Sequence, residues 1–86
     1  MKVYVLADSS TDGAAVSVFK TRKLALEKCQ SLVDSYIEDG YSILFDSDEY
    51  GPIRHIDMTY EDPIAEEEED RYRCTVIDLW ESKVVE

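Results

Sequence analysis

The sequence predicts an α+β domain in which one helix packs on a mostly antiparallel sheet, in the order β-β-α-β-β-β. Three observations predict it. A single stretch, 22–39, repeats its apolar residues at three- and four-residue steps. The other apolar segments are short, β-branched and aromatic, with turn-forming residues between them. The whole chain is 86 residues long, enough for one thin core and one domain spanning 1–86.

The first strand covers 2–7, where Val3, Tyr4, Val5 and Leu6 make both alternating faces apolar, as in an inner strand. Ser9, Ser10, Thr11, Asp12 and Gly13 supply a turn. A second strand, 15–20, puts Val16 and Val18 on one face and Phe19 on the other. Thr21 is a good N-cap for the helix, and Gly40 a good stop after it. Within the helix Ala25, Leu26, Cys29, Leu32, Val33, Tyr36 and Ile37 form the apolar stripe.

Strands three and four cover 41–46 and 53–60, joined by the turn residues Asp48, Glu49, Tyr50, Gly51 and Pro52. A hairpin register pairing Phe45 with Ile56, Ile43 with Met58 and Tyr41 with Tyr60 gathers six apolar side chains on one face. The same register sets Asp46 opposite His55 and Leu44 opposite Asp57. Asp62-Pro63 ends the fourth strand, and 62–70 reads as an acidic loop. The fifth strand is 71–80, followed by a fraying tail at 81–86. Cys29 and Cys74 read as small buried hydrophobes.

The net charge is −11. Residues 1–37 carry five basic and four acidic side chains, and residues 71–86 carry three of each. Residues 38–70 carry one basic and thirteen acidic side chains, so the acidity is regional. Such a block argues against nucleic acid or an anionic membrane as direct partners, because phosphates are bound by Lys and Arg. A folded surface with rows of carboxylates instead imitates the field of DNA and attracts basic grooves. The residues assigned to that face are Asp46, Asp48, Glu49, Tyr50, Asp57, Glu61 and Asp62. Glu66, Glu67, Glu68, Glu69 and Asp70 add long-range steering, and Tyr50 is an aromatic anchor at the hairpin tip.

Other chemistry has weaker footing. His55 is the single histidine, and no nucleophile is placed beside it by the pattern. Residues 46–57 resemble an EF-hand loop at several positions, but Tyr50 stands where an oxygen ligand belongs and strands flank the segment. The three glycines are isolated, so there is no phosphate-cradling loop. Neither an enzyme nor a cofactor or metal is expected.

The segment Lys2-Val3-Tyr4-Val5-Leu6, followed by Val18-Phe19-Lys20-Thr21 and Ala25, is similar to a type of small bacteriophage and bacterial protein that opens with this strand, returns through a hairpin and enters a helix. In size and charge the whole chain resembles the phage-encoded DNA-mimic inhibitors: anti-CRISPR proteins, anti-restriction proteins and uracil-DNA glycosylase inhibitors. The resemblance implies no specific residues. It implies a non-enzymatic inhibitor or modulator of a host nucleic-acid-binding protein such as a defence nuclease or a repair or transcription enzyme. Two alternatives stand beside it: an assembly module forming homo-oligomers, including a homodimer, and a small metal-dependent enzyme. The segment 1–8 turns polar too early for a signal peptide, so the expected compartment is cytoplasmic, the host cytoplasm for a phage-encoded chain.

Overall fold

The computed structural model describes residues 1–10, 13–47, 53–62, 64 and 72–84. Five strands and one helix follow the expected order: β1 (Lys2–Ser10), β2 (Gly13–Phe19), α1 (Arg22–Glu38), β3 (Ser42–Ser47), β4 (Arg54–Glu61) and β5 (Tyr72–Lys83). The strands form one sheet in the order β2-β1-β5-β4-β3, with every neighbouring pair antiparallel. β1 is an inner strand, as its two apolar faces require.

The helix connects β2 on one edge to β3 on the other. Seventeen residues span about 25 Å along a helix axis. Five strands at roughly 4.8 Å spacing put the outer strand axes about 19 Å apart. One helix is therefore long enough to make the crossing over a single sheet face. Thr21 caps it, its hydroxyl accepting from the Leu24 N–H at 3.2 Å. Asp39 is the C-cap, and Gly40 follows with φ +99°, a left-handed conformation suited to glycine.

The core lies between α1 and the three central strands. Ala25, Cys29 and Val33, at four-residue steps, are fully buried against the sheet. Opposite them stand Leu6 of β1, Ile56 and Met58 of β4, and Ile77 and Leu79 of β5. Small side chains on the helix let it approach closely while the sheet supplies the volume. Each fully buried Ile, Leu or Met contributes roughly 1.5–3 kcal/mol. Of the expected helical stripe, Leu26 and Ile37 are exposed, because a sheet on one side covers a narrower arc than that stripe spans.

Among the described residues no helix lies over the other sheet face. Register and alternation put Val3, Val5, Ala7, Val16, Val18, Val76 and Trp80 there, together with His55, Asp57 and Asp78. No helix among the described residues is long and apolar enough to cross a membrane.

Three expectations need correction. The β3–β4 hairpin keeps the Ile43–Met58 pair but shifts register between Ile43 and Phe45. Phe45 therefore faces Asp57, and Ser47 faces His55, where the unbroken register had Phe45 on Ile56 and Asp46 on His55. One bulged residue turns Phe45 onto the open face and Asp46 onto the helix side, because side chains alternate with period two. Cys74 is exposed, since it sits on the open face, and it forms no disulfide with Cys29. The last strand runs to Lys83, beyond 80, and the Val84 N–H donates to the Met1 carbonyl at 2.9 Å. Pairing with β1 thus orders most of the segment expected to fray.

Candidate functional site

Asp46, Asp57, Glu61 and Asp62 are the proposed interface residues that fall among the described ones. Asp48, Glu49, Tyr50, Glu66, Glu67, Glu68, Glu69 and Asp70 lie outside the described residues, as do positions 48–52 of the EF-hand-like segment. The four do not form one row. Asp46 and Asp57 lie on opposite sheet faces.

Asp46 is held on the helix side by Arg54. Arg54 Nε donates to Oδ1 at 3.2 Å and Nη2 to Oδ2 at 2.9 Å, a two-pronged clamp. Nη1 of Arg54 donates to Gln30 Oε1 of the helix at 2.8 Å. The hydrogen bonds from Arg54 hold the Asp46 carboxyl below its ordinary value. The clamp borders a cleft of about 500 Å³ at the N-terminal end of the helix, shared with Arg22 and Leu26. Beneath it burial pushes the Cys29 thiol up, against the opposing pull of Arg54.

Asp57 lies on the open face with His55 and Asp78. His55 Nδ1 is 2.5 Å from Asp78 Oδ1, and Nε2 is 3.2 Å from Asp57 Oδ1. A neutral imidazole has one N–H, so two carboxylates facing its two nitrogens call for the doubly protonated ring. The hydrogen bond that His55 donates to Asp78 is the main reason the His55 value is raised. Ser47 stands opposite His55 in the ladder, which would suggest a hydroxyl nucleophile. With both ring nitrogens turned to carboxylates, no lone pair remains in this arrangement to take a proton from a hydroxyl. The protonated ring neutralises part of the charge of Asp57 and Asp78.

A further polar group joins β1, β5 and α1. Thr75 Oγ1 donates to Asp8 Oδ1 at 2.6 Å, and Tyr36 OH donates to Asp8 Oδ2 at 2.5 Å. Burial, and then this bond to Asp8, push the Tyr36 phenol up. Asp8 thus satisfies the buried Thr75 and ties the helix to the sheet.

Two acids meet at the C-terminal end of α1. Asp39, from the helix cap, and Asp62, just past β4, line one cleft of about 380 Å³ with Tyr36, Tyr41, Tyr60 and Arg73. The rings pack on one another, Tyr36 on Tyr41 at 4.9 Å between centroids and Tyr41 on Tyr60 at 5.5 Å. The last turn of the helix has no basic residue, so its dipole adds to the negative field there. Asp39 is not among the residues the sequence assigns to the acidic face, and the pattern places Tyr36, Tyr41 and Tyr60 in the core rather than in a site. Asp39 and Asp62 are 23 positions apart, and only the return of β4 alongside the helix end unites them.

No group of three or more His, Cys, Asp or Glu side chains among the described residues is arranged to hold a metal ion. Neither a family model, nor a curated protein, nor a solved structure matches the chain.

Proposed function

We propose that this protein is a non-enzymatic acidic binding protein that engages the basic surface of a nucleic-acid-binding protein and inhibits or modulates it, in the manner of the phage-encoded inhibitors it resembles in size and charge. One observation carries the reading. Asp39 and Asp62 share a tyrosine-lined cleft at the negative end of the helix. Carboxylates beside aromatic faces suit a partner's Arg or Lys, through ion pairing and cation–π attraction. Arg73 offsets one of the two carboxylates, while Glu38 and Glu61 lie next to them in sequence. The thirteen acids of 38–70 supply a long-range field that attracts a basic partner. The reading rests on this regional charge and this cleft. It does not need a DNA-like row through Asp46, whose carboxylate is committed to Arg54.

The test is affinity capture from a bacterial lysate with the wild-type chain and the double variant Glu38→Lys/Asp39→Lys. Lysine at a helix C-terminus favours the dipole, so the variant should fold. The expected result is capture of nucleic-acid-binding proteins that weakens with salt, is displaced by duplex DNA and is lost in the variant. Capture indifferent to salt and to the charge reversal would overturn the reading.

A further inference from the structure

The two edges of the sheet differ in kind. β3 is six residues long, carries Asp46 and is interrupted by a bulge at Leu44. Bulges and charges are the usual means of stopping an edge from pairing further. β2 has neither. Its sequence Gly-Ala-Ala-Val-Ser-Val-Phe holds no charge and no proline. Its pairing with β1 runs unbroken from Tyr4–Phe19 to Ser10–Gly13. Among the described residues no strand pairs with its outer side. Val16 is 66% exposed and Val18 60%, both on the open face beside Val5 and Ala7 of β1.

We propose that β2 is a dimer edge. Two copies of this chain pair β2 against β2, antiparallel about a two-fold axis, and join two five-stranded sheets into one. Charge placement selects a second copy as the occupant. The strand order sets β2 at the edge farthest from β3, and the described acids of 38–62 lie on β3, β4 and the helix end. Joining at β2 therefore keeps these described acids of the two copies toward the outer ends of the assembly. Lys20, Arg22 and Lys23 follow β2 directly. In an antiparallel pair the two basic flanks fall at opposite ends of the seam, about 20 Å apart. The exposed valines of the two copies meet across the seam and cover one another. The contact is self-complementary and closed, so it stops at two. A head-to-tail contact of β2 with β3 would meet the bulge at Leu44 and would grow into a filament.

The experiment is sedimentation equilibrium on the full chain from micromolar to several hundred micromolar. The wild type is expected to approach twice its 9.9 kDa mass. The double variant Val16→Lys/Val18→Lys sets like charges against each other at the seam and is expected to stay monomeric with an unchanged circular dichroism spectrum. Leu44→Lys, on the other edge, is expected to dimerise as the wild type does. A second readout does not depend on those variants: a spin label at Val16→Cys in a Cys74→Ser background should report one short distance between copies, and a label at Leu44→Cys a long one. A wild type monomeric throughout, a dimer that survives the valine variant, a species that keeps growing with concentration, or no short distance from position 16 would each overturn the proposal. None of these outcomes touches the acidic cleft at the other side of the molecule, so the two readings fail separately.

Discussion

His55 carries a pH dependence whose sign follows from its two carboxylate neighbours. Asp78 of β5 and Asp57 of β4 face its ring nitrogens, while Phe45 and Ser47 are its β3 neighbours. The folded-state value is raised, with the Asp78 hydrogen bond as the leading cause. Its stabilisation is thus fully present below the unfolded value of about 6.5 and is lost as pH rises through the folded value. The advantage of wild type over His55→Gln in urea midpoint should be full below about pH 6.5 and shrink as pH rises from there through the raised folded value. A gap that stays constant or widens would show that the imidazolium is not what holds the two carboxylates together. Asp8 shows the complementary case, a carboxylate made useful by the two hydroxyls of Tyr36 and Thr75.

Among the elements, α1 depends most on how it ends. Gly40 has φ +99°, and a Cβ there would lie 3.0 Å from Cε2 of Tyr60. Gly40→Ala should cost about 1–2 kcal/mol, from left-handed strain and pressure on the ring. Urea unfolding measures it, and a stabilised variant would mean that the loss of unfolded-state freedom outweighs both. The expected cap, helix and stop at Thr21, 22–39 and Gly40 were legible because each depends on residues close in sequence. The bulge in β3 was not. Alternation in 41–46 and 53–60 supports an unbroken register equally well. The shift at Leu44 instead seats Asp46 beside Arg54 on the helix side and Phe45 beside His55 on the open face.

At the scale of the molecule, charge works against compactness. A net charge of −11 on 86 residues repels itself, most strongly within 38–70. Salt screens that repulsion over a Debye length of about 10 Å at 0.1 M. The thermal midpoint at fixed protein concentration should therefore rise with added sodium chloride before levelling off. A midpoint that falls from the first addition would mean that the ion pairs Asp46–Arg54 and His55–Asp78 outweigh the repulsion.

Local pattern was enough to determine the element order, the capped helix, the inner character of β1 and the concentration of acid in 38–70. These features rest on periodicity, propensity and composition, which act between neighbours in the chain. Tertiary structure alone decided that Asp46 is clamped by Arg54, that His55 answers to Asp78 across β5, and that Asp39 and Asp62 share a tyrosine-lined cleft. It alone set an uncharged β2 and a bulged β3 on opposite edges of one sheet. The reason is physical. Strand order and register are contacts between distant segments, and a one-residue bulge reverses every side chain beyond it without altering the local hydrophobic pattern.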